Sequence, residues 1–126
     1  MKILFVFSVA LVFVSGLPTK PERMRHLEDI VKILTRLEEL PAKIRHTLTA
    51  DVIDSHKCEA KDFCKAEKVL SKIDHEEFRG ERGIGRFLNA YNKNFNTKCI
   101  VDTRNELELK VLLQRLRICV QKHYSQ

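Results

Sequence analysis

The stretch Leu27-Glu28-Asp29-Ile30-Val31-Lys32-Ile33-Leu34-Thr35-Arg36-Leu37 decides the fold class. Its Leu27, Ile30, Val31, Leu34 and Leu37 recur at i, i+3, i+4, i+7 spacing, the stripe of an amphipathic helix with charge on the opposite side. Thr19 with Glu22 three residues on fits a capping box, and Pro21 suits a first helical turn, where its missing N–H costs nothing. Pro41 disfavours helical geometry at Leu40, so helix A is predicted over Pro21 to Glu39.

The same period returns three times downstream. Helix B carries Phe63, Ala66, Val69, Leu70 and Ile73, and fades into the charged run from Asp74 to Glu77. Helix C carries Ile84, Phe87, Leu88, Tyr91 and Phe95, with Asn92, Asn94 and Asn96 as its stop. Helix D carries Leu109, Leu112, Leu113, Leu116 and Val120, and Thr103 with Glu106 reads as its capping box. Gly80 to Gly85 lacks the Gly-Lys-Ser/Thr ending of a phosphate loop and reads as the turn from B to C. The links A to B (Pro41 to Ala60, with β-branched residues and a short strand conceivable near Thr47 to Ile53) and C to D (Thr97 to Asp102) are long. A short B–C turn between two long links is the pattern of an all-α, up-up-down-down short-chain four-helix bundle with overhand AB and CD connections.

Upstream of helix A, Met1-Lys2 precedes the apolar run Ile3 to Val14 and then Ser15-Gly16. A charged start, a dozen apolar residues and small residues at the end read as a secretory signal peptide over 1–16, which leaves one domain over 17–126 and an extracellular, secreted product. The run is too short to span a bilayer core of about 30 Å. Export places Cys58, Cys64, Cys99 and Cys119 in an oxidising compartment, where four cysteines read as two disulfides. In the bundle, the start of B and the ends of C and D share one pole. Cys64–Cys99 with Cys58–Cys119 puts both bridges there, and Cys58–Cys99 with Cys64–Cys119 remains open geometrically.

Without the leader, 22 Lys and Arg face 17 Asp and Glu, a formal charge of +5. That balance favours acidic partners and allows weak polyanion binding. Nucleic acid is disfavoured: Trp is absent, and the Phe and Tyr residues fall at core spacing rather than beside basic clusters. No Ser-His-Asp or Cys-His arrangement suggests an enzyme, and no cofactor is implied. His75 with Glu76 and Glu77 on one surface turn is poor metal geometry and reads as solvated charge, so no metal is expected. The chain has no Asn-x-Ser/Thr sequon.

Several segments resemble the interleukin-4/interleukin-13 cytokines, including the undivided fish-type members. Leu27 to Lys32 resembles helix A of interleukin-4. Phe63-Cys64-Lys65-Ala66 resembles the start of its helix B, and Arg86-Phe87-Leu88 with Asn94 its helix C. Lys98-Cys99 followed by Val101 resembles the next link, and Leu113-Gln114-Arg115-Leu116 with Lys122-His123-Tyr124-Ser125 resembles helix D and its end. The resemblance runs in order through nearly all of residues 17–126.

It implies a monomeric type-2 immune cytokine that bridges the interleukin-4 receptor α chain to either the common γ chain or the interleukin-13 receptor α1 chain, and signals through Janus kinases and STAT6. The α-chain face would centre on Asp29 of helix A and Lys93 of helix C, with Asn94 beside the latter. The second face would use Val31, Thr35, Gln121, Tyr124 and Ser125. Asn89, Ala90 and Gln121 stand where the family carries basic residues. From the residues alone, Ile33 lies about 100° off the centre of the helix A stripe and one turn from Asp29, which suits an exposed apolar contact beside a charge or a widened core face. Tyr124 equally suits C-terminal packing. A different class, a cationic host-defence protein acting on anionic membranes, is the rival reading, with intermixed Asp and Glu on the polar faces against it.

Overall fold

A computed structural model describes residues 22–125. The stretch 1–16 read as a signal peptide, and the Thr19 and Pro21 helix-start signals, lie outside the described residues. Four long helices carry the chain: α1 (Glu22–Leu37), α3 (Ala60–Leu70), α5 (Ile84–Asn92) and α6 (Leu109–Tyr124). Two single-turn helices, α2 (Ala42–Arg45) and α4 (Glu76–Arg79), and two strands, β1 (Leu48–Ala50) and β2 (Glu106–Glu108), fill the connections. The protein is mostly helical, with two disulfides.

Each helix forms for a local reason and is fixed by burial. In α1, Leu27, Ile30, Ile33, Leu34 and Leu37 are buried. The helix packs against both α5 and α6, so its apolar face must be wider than one seam. This corrects one reading of Ile33: at 1 % exposure it belongs to the core and offers no apolar surface to a partner. Each such Leu or Ile contributes about 1.5–3 kcal/mol by leaving water.

The start of α3 is closed by reciprocal capping: the Glu59 amide donates to Asp62 Oδ2 at 2.9 Å while the Glu59 side chain accepts from the Asp62 backbone. Asp62 is buried, and that desolvation raises its carboxyl above the usual range. At α4, His75 Nδ1 accepts from the Glu77 amide at 3.1 Å, which gives this histidine a capping role.

The start of α6 differs from expectation. Thr103 and Glu106 form no capping box, because Glu106 to Glu108 is strand β2, antiparallel to β1 with Leu48 opposite Glu108 and Ala50 opposite Glu106. The ladder runs into the helix. The Leu109 amide donates to Thr47 O at 2.8 Å, so one orphan N–H of the first turn is met by the neighbouring strand instead of a side-chain cap. Further ties hold the long first connection against α6: Arg115 to Asp51 at 2.7 Å and Lys122 Nζ to Ser55 O at 2.8 Å.

The disulfides are Cys58–Cys119 and Cys64–Cys99. Cys58 sits at φ 49°, a left-handed conformation uncommon for a residue with a Cβ. Its amide donates to Asp54 O at 2.8 Å, so the residue closes a turn while its sulfur reaches α6.

Helices α3 and α5 approach through Gly85. A Cβ there would stand 2.4 Å from Ser71 Oγ and 2.9 Å from Phe78 O, the second a backbone atom. Gly85→Ala is therefore expected to destabilise by about 1–3 kcal/mol despite alanine's better helix propensity, read as a lower urea midpoint at unchanged slope.

Candidate functional site

The flank of α1 beside its core stripe presents Glu28, Val31, Lys32 and Thr35 at i, i+3, i+4, i+7 spacing. The last turn of α6 presents Gln121, Tyr124 and Ser125 at i, i+3, i+4. Together Glu28, Val31, Lys32, Gln121, Tyr124 and Ser125 line an open groove of about 610 Å³ whose exposed lining is mainly apolar. Val31 is half-buried, and Tyr124 is 36 % exposed.

Polar contacts fix the two walls. The Tyr124 hydroxyl donates to Glu28 Oε2 at 3.0 Å, which ties the end of α6 to α1. Ser125 Oγ donates to Gln121 O at 3.0 Å, and Thr35 Oγ1 donates to Val31 O at 3.0 Å. At the far end of the same seam, Arg117 Nη2 donates to Thr35 Oγ1 at 3.3 Å and pairs with Glu38 at 3.3 Å. All five residues assigned to the second face thus fall along one α1–α6 seam, four of them in the groove.

Ile118 adds to this picture. It is 44 % exposed and lies at i−3 and i−7 from Gln121 and Ser125, so it extends the row on the outer face of α6. Its position off the Leu112, Leu113, Leu116 and Val120 stripe is the sequence signal that marks it.

The residues assigned to the other face are less closely assembled. Asp29 is half-buried on α1, Lys93 is the exposed residue that ends α5, and Asn94 Nδ2 donates to Tyr91 O at 2.9 Å. Among the described residues no hydrogen bond or ion pair joins Asp29 to Lys93 or Asn94, and neither charge is neutralised by a partner. Unpaired charges on neighbouring elements can act on a ligand without first breaking an internal pair.

Behind the groove lies a buried polar cluster. His123 is 8 % exposed; its Nε2 lies 2.6 Å from Cys58 O and its Nδ1 2.5 Å from the Tyr91 hydroxyl. A carbonyl only accepts, so Nε2 is the donor to Cys58 O, and in that tautomer Nδ1 accepts from the Tyr91 hydroxyl. Phe63 packs on the imidazole with ring centroids 4.5 Å apart. Burial pushes the Tyr91 phenol up to about 12, with the Arg23 charge opposing. This cluster fixes the end of α6 from the inside while Tyr124 fixes it from the outside.

No group of three or more His, Cys, Asp or Glu with metal-holding geometry occurs among the described residues, and no helix among them is long and apolar enough to cross a membrane. In comparisons with protein-family models, curated proteins and solved structures, the chain matches none.

Proposed function

We propose that this chain is a secreted type-2 immune cytokine of the interleukin-4/interleukin-13 kind, which bridges the interleukin-4 receptor α chain to the common γ chain or the interleukin-13 receptor α1 chain and so triggers Janus kinase and STAT6 signalling. The observation that carries the reading is the α1–α6 groove: residues singled out by resemblance on two helices, with Glu28 and Tyr124 96 residues apart, line one apolar-sided surface. An apolar patch edged by polar groups is the form of a protein-binding hot spot. Two disulfides in a small domain are typical of extracellular proteins.

Contacts between helix ends support an up-up-down-down bundle. Tyr124 near the end of α6 reaches Glu28 early in α1, and Arg117 reaches Glu38 just after α1, so these helices run oppositely. Asn92 at the end of α5 donates to Phe63 O early in α3, while Gly85 faces Ser71 just past α3. Tyr91 meets His123, a contact that supports a shared pole for the ends of α5 and α6. The connections 38–59 and 93–108 then run the length of the bundle.

Binding of the refolded, oxidised chain to immobilised receptor ectodomains tests the reading. The chain is expected to bind the α chain, and the α-chain complex to capture a second receptor chain. Asp29→Lys is expected to weaken α-chain binding about thirtyfold, the scale of a residue worth roughly 2 kcal/mol. Tyr124→Asp is expected to leave α-chain binding intact and abolish capture of the second chain. Absence of α-chain binding by the unaltered chain overturns the family reading; normal binding by both variants overturns only the faces.

A further inference from the structure

We infer a second interaction surface, for a linear sulfated polysaccharide, where α3 meets the crossing that follows α5. Lys61, Lys65 and Lys68 stand at i, i+4 and i+7 on α3, a row about 10 Å long at 1.5 Å rise per residue. The Cys64–Cys99 bridge clamps the crossing onto this helix and brings Lys98 to the row: Lys61, Lys65, Lys98, Cys99 and Ile100 line one open groove of about 500 Å³. Lys68 Nζ donates to Cys99 O and holds the crossing in place. A neighbouring cleft of about 450 Å³ holds Lys57 with Lys61 and Lys65 but also Asp51, Asp54, Glu59 and Asp62, so it does not extend the basic row of Lys61, Lys65, Lys68 and Lys98.

The charges there are largely uncompensated. Lys61 pairs with Glu59 at 3.3 Å, and Asp102, which feels the Lys65 charge, is held by Arg104 at 2.7 Å. Among the described residues Lys65 and Lys98 have no carboxylate within ion-pair distance. A row of ammonium point charges one helix turn apart, continued by a fourth on a second element, matches a flexible chain with regularly spaced sulfates, whose binding gains from counterion release. A lipid surface fits less well, because Ile100, 86 % exposed, is the one large apolar side chain lining the groove, and Glu59 and Asp102 border it. The surface shares no residue with the α1–α6 groove, so a matrix-bound chain could keep that groove open.

The test measures affinity of the oxidised chain for heparin oligosaccharides across about 50–200 mM salt, the range over which counterion release is steep. Lys65→Gln/Lys98→Gln is expected to lower the slope of log affinity against log salt by about two, one for each contact removed. Arg82→Gln/Arg86→Gln, an equal loss of charge on exposed residues outside this surface, is expected to leave the slope unchanged. Binding should be lost with desulfated heparin. An equal fall in both variants, or retained binding to desulfated chains, overturns the site. So does a preference for phosphatidylserine vesicles that Ile100→Asp removes, because that outcome assigns the surface to lipid.

Discussion

Replacing both Cys58 and Cys119 with alanine is expected to cost about 4 kcal/mol, a large share of the roughly 5–15 kcal/mol that holds a small domain folded and the larger of the two disulfide deletions. The bridge spans 61 residues against 35 for Cys64–Cys99. Loop-closure entropy alone gives about 4.3 and 3.8 kcal/mol for the two. The difference widens in the folded state. Cys58 and Cys119 are 4 % and 0 % exposed, inside the core, whereas Cys64 is half-buried at the surface. Without its sulfur anchor, Cys58 has little reason to keep a positive φ, and its relaxation withdraws the carbonyl that His123 donates to. The first connection should then loosen from α6, with ties at Asp51, Ser55 and His56 weakened together. Urea unfolding of the two double variants checks the order. If Cys64→Ala/Cys99→Ala is the less stable, the buried bridge is not the main fastening of the first connection.

The four long helices were legible because each carries a complete 3.6-residue stripe, and the helix ends near Pro41 and after Asn92 follow from residues that stop helices. What tertiary contact decides was not legible. Ile33 is buried because α1 has two neighbours, which a single-helix stripe does not reveal. Glu106-Leu107-Glu108 is too short for alternation to speak, and Thr103 with Glu106 imitates a cap; only the pairing with Leu48 to Ala50 makes a strand there. The two cysteine pairings stayed open in the sequence because both suit the expected helix order; the structure forms Cys58–Cys119 and Cys64–Cys99. At the site, the family resemblance marked the α1 and α6 faces, but the groove between them depends on the Tyr124–Glu28 bond, which joins residues at opposite ends of the chain. His123 looked like one of five scattered histidines.

His123→Leu is expected to be the most damaging single substitution of a polar residue, at about 2–5 kcal/mol, because it removes two acceptor–donor contacts at once and keeps the volume filled. The Tyr91 hydroxyl loses its acceptor and the Cys58 carbonyl its donor, both in buried surroundings, at roughly 1–3 kcal/mol each. Adding Tyr91→Phe deletes one of the two orphans. The double variant should therefore recover about 1–3 kcal/mol relative to His123→Leu, whereas independent sites would only add their losses. The burial of Tyr91 predicts a pH dependence with a definite sign. The phenol is raised from 10.0 to about 12 by burial, so the folded state favours the neutral form. Its contribution is complete below pH 10 and is lost as pH rises from 10 to 12, a span of about 2–3 kcal/mol that should be absent in Tyr91→Phe. Equal stability of His123→Leu and the unaltered chain would falsify the role of this cluster. Because His123 directly precedes Tyr124, slackening the imidazole should also free the last turn of α6 and blur the wall of the groove. On the proposed cytokine reading, His123→Leu is then expected to weaken capture of a second receptor chain while α-chain binding persists, a split that global unfolding could not produce.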